Sequence, residues 1–386
     1  MSPGARMECV ESVYLRYKKA SRKEKTLILD EFCATCGYHR KYAVRLLKHF
    51  KRFTKPKPKR RGAPSKYNKP SITEPLKRIW LAANLPCSKR MKAVIPLWMP
   101  GYVKEYGALS LDAAKALYRI SPSTIDRILK PLRAKYKSRG RCTTKPGTLL
   151  RKQIPIKTNQ WDEFKPGFVE ADTVAHCGDK IEGDYANTVD LVDIATGWTE
   201  QGATWGKGEI GVLAALKEME SRIPFPVLGF DADNGGEFIN HHLMRHFADR
   251  VKPVQFTRSR PYHSDDNAHV EQKNWTHVRQ WFGYHRLDKK RIVEMMNDLY
   301  RSEWRLYHNF FQPSVKLIEK KVVASKILKR YDKPKTPYER VMESKHVDPS
   351  VKRALKEQFE TLNPFQLRKG IEAKMKKIFE ALKGSR

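Results

Sequence analysis

The sequence predicts an α/β domain over residues 161–317, preceded by helical domains and followed by a small β module and helices. Three strand patterns occur in succession after residue 164, and helix and strand patterns alternate after the third. This order of elements is typical of a layered α/β domain. Before residue 137, apolar residues instead recur every three or four positions among many Lys and Arg, which predicts basic amphipathic helices.

The charge of the chain is strongly positive and unevenly distributed. Its 386 residues include 77 Lys and Arg against 42 Asp and Glu, a net charge of +35. This charge disfavours a neutral metabolic enzyme and indicates a polyanionic partner, either nucleic acid or an anionic membrane. Residues 161–260 are acidic instead, with 17 acidic and 10 basic side chains. Either the domains simply differ in charge, or carboxylates are concentrated there to bind divalent cations.

Several sequence features indicate an intracellular protein without a membrane partner. No apolar run approaches the roughly 18 residues that a membrane span needs, and the N-terminus lacks the apolar core of a signal peptide. Six Cys in a chain of this length do not indicate a disulfide framework. We therefore expect a cytoplasmic location.

Residues 1–50 predict a helix-turn-helix DNA-binding domain, with the turn at Gly37. Its second helix would present four side chains to a major groove: His39, Arg40, Lys41 and Arg45. Many short helix pairs share this pattern, so a pair that does not bind DNA stays open as the alternative.

Residues 51–70 predict a basic linker, because the stretch is rich in Lys, Arg and Pro and nearly free of apolar residues. It would be either a solvated tether or an arm along DNA phosphates, with contacts from Lys57, Lys59, Arg60 and Arg61. Residues 138–160 predict a second basic linker.

Residues 71–137 predict a second helix-turn-helix DNA-binding domain. Ser121 or Ser123 would cap its last helix, with Pro122 in the first turn. The outer face of that helix would present Thr124, Arg127 and Lys130 to DNA.

After the α/β domain, short β-branched runs predict a small β module at residues 318–345. Amphipathic patterns predict C-terminal helices at residues 346–386.

Three acids of the α/β domain have a context that suggests chemistry. Asp172 lies in the first strand, Asp233 follows the fourth, and Glu271 lies near the start of a helix. Carboxylate oxygens suit Mg²⁺, and two such ions can promote an in-line displacement at phosphorus. Most acids near turns are merely solvated, so that alternative stays open from spacing alone.

Residues 165–285 resemble the catalytic core of retroviral integrases and of the related transposases of bacterial insertion sequences. The resemblance rests on the Asp of VEADTV, on DNGGEF after the fourth strand, and on RPYHSDDNAHVEQKN. The family carries an Asp-Asp-Glu triad with a spacing similar to the 37 residues between Asp233 and Glu271. An Asn three residues after the Glu also recurs in the family, and Asn274 occupies that position.

The resemblance implies an RNase H-like core, which is a five-stranded mixed sheet flanked by helices. It implies that Asp172, Asp233 and Glu271 are catalytic and hold two Mg²⁺ or Mn²⁺ ions. The implied reactions are cleavage that frees a 3′-OH at a transposon end and transfer of that end into target DNA. Asp231, Asp265 and Asp266 are further acids near these motifs, so the assignment by motif has competitors.

The resemblance also implies partners. These are double-stranded DNA, as transposon terminal repeats and as target, and further copies of the chain in a synaptic complex. It leaves an accessory ATPase open and implies a bacterial, nucleoid-associated protein. Near the triad, five side chains are candidates for DNA contact, although a solvated helix face is the alternative: Asn267, Lys273, Asn274, His277 and Arg279.

Two further functions stay open beside the transposase. One is a DNA-binding regulator without catalysis, and the other is an RNase H-like nuclease. Cys33 and Cys36 with His39 and His49 raise a zinc site as a less favoured alternative, because their order and spacing differ from the integrase pattern.

Overall fold

The computed structural model of the chain describes residues 1–50, 66–134, 164–232, 235–258, 268–323 and 326–383, except the side chains of residue 3 and of residues 320–327. The chain forms two compact units, Met1–Ser65 and Lys66–Arg386. Outside the described residues lie the second predicted linker, most of the first, and six predicted site residues: Lys57, Lys59, Arg60, Arg61, Asp233 and Asn267.

In its described residues, 1–50, the first unit contains three helices around a small core. Ser21 begins the second helix in a capping box with Glu24. Gly37 ends this helix with φ at 67°, a left-handed conformation that glycine adopts without steric cost. Phe32 and Leu47 are buried where the helices meet, so the predicted helix pair is present. The helices are α1 (Pro3–Lys19), α2 (Arg22–Cys36) and α3 (Arg40–Lys48).

The second unit begins with four helices. The second of them continues through Pro96 and Pro100, although proline usually interrupts a helix. Burial of one face, including Ile95 and Trp98, offsets this cost. Ser121 caps the fourth helix as predicted. The four are α4 (Pro70–Ala82), α5 (Ser88–Tyr106), α6 (Leu111–Arg119) and α7 (Pro122–Arg133).

Helices α4–α7 are not the separate domain that the sequence predicted over residues 71–137. The indole N–H of Trp98 donates a hydrogen bond to the carbonyl of Phe311 at 3.1 Å. The Trp98 ring packs edge-on against Tyr307 and Phe365, with ring centroids 5.9 and 5.1 Å apart. One hydrophobic core therefore joins α4–α7 to the C-terminal helices. Apolar periodicity identifies a buried face but not the element that covers it.

A five-stranded mixed sheet lies at the centre of the second unit, as predicted. Its order is β3-β2-β1-β4-β5. Strands β1, β2 and β3 are successively antiparallel, whereas β4 is parallel to both β1 and β5. The strands are β1 (Phe168–Ala175), β2 (Ala186–Asp193), β3 (Thr199–Trp205), β4 (Gly229–Ala232) and β5 (Gln255–Arg258).

The two faces of the sheet differ in chemistry. Helices α8 (Glu209–Glu220) and α9 (His241–Ala248) cover an apolar face that contains Ala171, Leu191 and Phe230. Because side chains alternate along a strand, Glu170 and Asp172 lie on the opposite face. The strand order thus places the acidic residues together under a different set of helices.

A continuous helix, residues 268–282, covers β1 and β2 on the acidic face. We call it the site helix. It consists of α10 (Ala268–Lys273), a π-helical segment (Asn274–Arg279) and α11 (Gln280–Phe282). A second helical segment, kinked at Ser302, packs on it through Trp281 and Trp304, with ring centroids 5.0 Å apart. This second segment consists of α12 (Arg291–Leu299), a π-helical segment (Tyr300–Trp304) and α13 (Arg305–Phe311).

The predicted β module at 318–345 is a single hairpin followed by a helix. Strands β6 (Leu317–Val323) and β7 (Lys326–Tyr331) pair only with each other, and Thr336 caps α14 (Pro337–Glu343) with a capping box. The C-terminal helices predicted at 346–386 are α15 (Pro349–Thr361) and α16 (Pro364–Lys383). In the part of the chain that the structure describes, no helix is long and apolar enough to cross a membrane.

Replacing Trp98 by Ala should destabilise the whole second unit. Loss of a buried Trp costs about 3–5 kcal/mol, and the side chain joins α5 to α13 and α16. Amide hydrogen exchange should therefore accelerate in the sheet as well as in α4–α7. Leu47→Ala, a core change in α3, is the control and should affect only the first unit. Unchanged protection of the sheet in Trp98→Ala would contradict the shared core.

Candidate functional site

Asp172 lies within β1 and is held by hydrogen bonds on both carboxylate oxygens. Its Oδ2 accepts a bond from the side-chain amide of Asn274 at 2.6 Å. Its Oδ1 accepts one from the backbone amide of Thr173 at 2.7 Å. The fold therefore joins the strand to the site helix through two residues that are 102 positions apart in sequence.

Glu271 is exposed and lies one turn before Asn274 on the site helix. Residues three apart lie on the same side of a helix, so the bond from Asn274 to Asp172 also holds the Glu271 side of the helix against β1. The third predicted acid, Asp233, follows Ala232, the last residue of β4, in the sequence but lies outside the described residues.

A further carboxylate, Glu237, bonds to Thr173, the residue after Asp172 in β1, whose side chain lies on the opposite face of the sheet. Its Oε1 accepts hydrogen bonds from the hydroxyl of Thr173 and from the ammonium of Lys207, each at 2.7 Å. Burial opposes ionisation of Glu237, but the adjacent Lys207 ammonium lowers its pKa below the ordinary value. Glu237 was not among the predicted site residues, although it belongs to the same DNGGEF motif as Asp233.

Glu170 lies two residues before Asp172 and is completely buried. Its Oε2 accepts a hydrogen bond from the backbone amide of Val270, in the first turn of α10, at 2.9 Å. Burial raises the pKa of Glu170 well above its ordinary value, and the neighbouring Asp231 acts in the same direction. Asp231 itself pairs with Glu170 in the strand register and accepts a bond from the Thr257 hydroxyl.

Asp190 pairs with Asp172 across β1 and β2 and is completely buried. Burial raises the pKa of Asp190 to about 8, and the charge of Asp172 adds to this effect. Burial lowers the pKa of Lys273, on the inner side of the site helix, to about 7, and the charges of Arg90 and Arg340 act in the same direction. Because its pKa is about 8, Asp190 adds less negative charge to the site near neutral pH than an ordinary Asp does.

The donor chemistry at Asp172 and Glu271 fits a divalent cation. Mg²⁺ prefers oxygen ligands and is commonly bound by one or two carboxylates together with water and substrate phosphate. Within the described residues no three His, Cys, Asp or Glu side chains converge on a metal position. A three-carboxylate site therefore requires an acid outside the described residues, and Asp233, Asp265 and Asp266 are the candidates near these motifs.

Comparison with known proteins gives one extensive match. No protein-family model matches the sequence. The "Uncharacterized protein y4rM" of Sinorhizobium fredii (strain NBRC 101917 / NGR234) is 37% identical over 343 residues, which cover 88% of this chain and 96% of that protein. The chain belongs to the family of y4rM. The match spans both proteins almost from end to end.

Two solved structures are similar to parts of this y4rM-family chain. One is the simian T-cell lymphotropic virus intasome in complex with PP2A regulatory subunit B56 gamma, with 15% identity and a TM-score of 0.30 over 51% of this chain. The match covers 64% of that chain, less than two thirds of its length. The other is the catalytic core domain of BIV integrase, with 17% identity and a TM-score of 0.29 over 47% of this chain and 96% of that one.

Lys273 and His277 were predicted to contact DNA, and the structure corrects both. Each is only 5% exposed. The His277 ring stacks on His308 of α13, with ring centroids 3.9 Å apart. Both side chains are buried because α13 and the sheet cover this side of the site helix. Burial lowers the pKa of both Lys273 and His277 and so favours their neutral forms.

Two further predicted DNA contacts are occupied within the chain. Thr124 is buried, and its hydroxyl accepts a hydrogen bond from Arg127 at 3.1 Å, so Thr124 does not belong to the outer face of α7. Arg279 donates to the carbonyl of Ala175 at 2.9 Å and lies over the ring of Tyr284. Arg127 and Lys130 remain exposed on α7.

The predicted DNA-binding residues of the first unit are exposed on and beside α3, and their role stays a prediction: His39, Arg40, Lys41 and Arg45. Arg40 forms an ion pair with Asp30 of α2. Cys36 is buried in the core of this unit, where burial and the neighbouring Cys9 raise its pKa to about 11. A thiol with a raised pKa is a poor metal ligand, which suits a packing role for Cys36.

Replacing His308 by Phe should make the protein less sensitive to acid. Burial holds the pKa of His308 well below 6.5, so below pH 6.5 the unfolded chain binds more protons than the folded protein, and stability falls as the pH falls. Between pH 6.5 and pH 5 one such histidine contributes a loss of about 2 kcal/mol. Phe preserves the ring packing and removes this loss.

Urea unfolding of both proteins at pH 7 and pH 5 measures the effect. His241→Phe is the control, because His241 is exposed, and it should leave the pH dependence unchanged. An equal loss of stability in the wild type and in His308→Phe would show that His308 does not contribute to the acid sensitivity.

Proposed function

We propose that the chain is a DNA transposase that binds transposon ends and catalyses 3′-end cleavage and strand transfer through Asp172, Asp233 and Glu271. The observation that supports this most is the hydrogen bond from Asn274 to Asp172. It fixes the helix that carries Glu271 against the strand that carries Asp172. The five-stranded mixed sheet and the retained DNGGEF motif agree with it.

Asp172, Glu271 and Asp233 would hold two Mg²⁺ or Mn²⁺ ions. When bound, such ions activate the attacking oxygen and stabilise the leaving oxygen of an in-line displacement. Asn274 orients the carboxylate of Asp172, as hydrogen-bond partners of metal ligands commonly do. Asp190, with its pKa of about 8, limits the repulsion between neighbouring carboxylates.

The proposed reaction has two displacements at phosphorus. In the first, water attacks a phosphodiester at the transposon end, and the bond from phosphorus to the 3′ oxygen breaks, leaving a 3′-OH and a 5′-phosphate. In the second, that 3′-OH attacks a phosphate of target DNA and displaces a target 3′ oxygen, which takes up the proton. One P–O bond forms for each that breaks in strand transfer, so this step needs no energy source.

DNA binding would use the positive surface of the chain. Its net charge is +35, and exposed cations lie on α3 and α7. Because joining two transposon ends requires two aligned active sites, we propose that several copies assemble on DNA in a synaptic complex. An accessory ATPase would be a further partner. In a bacterium the protein would act on the nucleoid in the cytoplasm.

Asp172→Asn and Glu271→Gln should abolish strand transfer while preserving DNA binding. Each change removes a proposed metal ligand. Loss of a ligand's hydrogen-bond partner costs about 10–100-fold in activity. Loss of the ligand itself should therefore cost more than this. The assay combines the purified chain, Mg²⁺, a plasmid target and labelled duplexes from either side of its own coding sequence. Glu182→Gln, at an exposed acid outside the site, is the control.

The outcomes separate the three functions. Joined products that require Mg²⁺, Asp172 and Glu271 support the transposase. Specific binding of the end duplexes without any metal-dependent product would favour a regulator. Metal-dependent degradation of RNA–DNA hybrids without joining would favour an RNase H-like nuclease.

DNA affinity should fall steeply with salt, and α3 should account for part of this dependence. Each phosphate contact adds about 0.9 to the slope of log K against log salt concentration. Lys41→Ala with Arg45→Ala should therefore reduce the slope by about 2. Lys18→Ala with Lys19→Ala removes the same charge from α1 and should change the slope less. Equal effects would indicate a non-specific charge effect rather than contact through α3.

A further inference from the structure

The N-terminal half of the site helix is attached to β1 at two points one turn apart. Asn274 bonds to Asp172 at 2.6 Å, and the backbone amide of Val270 bonds to Glu170 at 2.9 Å. The first bond joins two residues that the sequence analysis already selected. The second involves a carboxylate that is two positions before Asp172 and has no assigned role.

The position of Glu170 suits an anchor better than a substrate or metal contact. Its side chain is completely buried, on a central strand with β2 on one side and β4 on the other. The first amides of a helix lack acceptors within the helix and need them from elsewhere. For Val270 this acceptor comes from a strand 100 residues earlier in the sequence, so the start of the helix is tied to the sheet rather than only to its own loop.

The anchored residue is directly adjacent to Glu271. A shift of the first turn would move the Glu271 carboxylate relative to Asp172, even with the bond from Asn274 intact. A carboxylate pair binds a metal ion well only when the distance between the carboxylates is held. Glu170 thus fixes the first turn of the site helix, which the bond from Asn274 does not hold.

We propose that Glu170 is a positioning residue that sets the distance between Asp172 and Glu271 by holding the first turn of the site helix to β1. The effect of Glu170 on catalysis rests on the proposed function. The attachment of the helix by Glu170 rests only on the hydrogen bond and the burial of its side chain. The two parts are tested by different measurements.

The matched variants are Glu170→Gln and Glu170→Met. Gln keeps an oxygen that can accept the bond from Val270, whereas Met has a similar length and only a weak acceptor. Glu200→Gln is the control for loss of a buried carboxylate, because Glu200 is buried on β3 and pairs with Arg222 and Arg305 instead of the site helix. Circular dichroism and thermal unfolding of each variant report the overall stability.

Hydrogen exchange of the full chain without DNA or metal tests the anchor. In Glu170→Met, exchange in residues 268–273 should accelerate about tenfold, the equivalent of one lost hydrogen bond, while Glu170→Gln stays near the wild type. Equal exchange in Gln and Met overturns the proposal. If both variants fail to fold, exchange in the wild type decides, because a fast-exchanging Val270 amide excludes the anchor.

Mn²⁺ titration followed by electron paramagnetic resonance tests the consequence for the site. Glu170→Met should weaken Mn²⁺ binding about 10–100-fold, as loss of support behind a metal ligand does, and Glu170→Gln should restore it. Unchanged Mn²⁺ affinity in Glu170→Met overturns the positioning role. If the wild type binds no Mn²⁺ while the exchange pattern holds, the proposed function fails and the anchor stands.

Discussion

The arrangement of the site depends on the attachment of one helix to one strand. Residues 268–282 carry Glu271 on one side and buried groups on the other, and β1 carries Asp172. The hydrogen bond from Asn274 to Asp172 joins this helix to the strand. If that attachment were lost, the two carboxylates would remain in the sequence but would no longer share a defined distance, and a metal site depends on that distance.

The rest of the second unit supports this attachment. Helices α8 and α9 pack on the apolar face of the sheet, which leaves the acidic face to the site helix. The stacked His277 and His308 and the packed Trp281 and Trp304 join the site helix to α13. Trp98 extends the same core to the helices that precede the sheet. The site helix is therefore held between the sheet and a large aromatic core.

The sequence predicted the elements better than their partners. Strand patterns placed Asp172 within β1, and the resemblance to integrase cores implied the five-stranded mixed sheet. Lys273 and His277 were assigned to DNA because a charged residue on a helix is usually exposed. Their burial depends on α13, which lies about thirty residues later in the sequence and whose approach no local pattern reveals. The same reason explains why the shared core of α4–α7 was missed.

Glu170, Asp190 and Glu237 show a second limit of the sequence. Each acid is ordinary by composition, and its role comes from a partner far along the chain, such as Val270 for Glu170 and Lys207 for Glu237. The acidic character of residues 161–260 did indicate a concentration of carboxylates, but not which of them burial would neutralise. Asp190 is one of these, and Asp172 is not fully buried.

The most direct test of the account is to locate a bound metal ion. Crystals of the full chain with Mn²⁺, measured at the manganese absorption edge, would show each ion by anomalous scattering. We expect a peak within coordination distance of the carboxylates of both Asp172 and Glu271. Mn²⁺ bound elsewhere, with both carboxylates ordered and no peak between them, would contradict it.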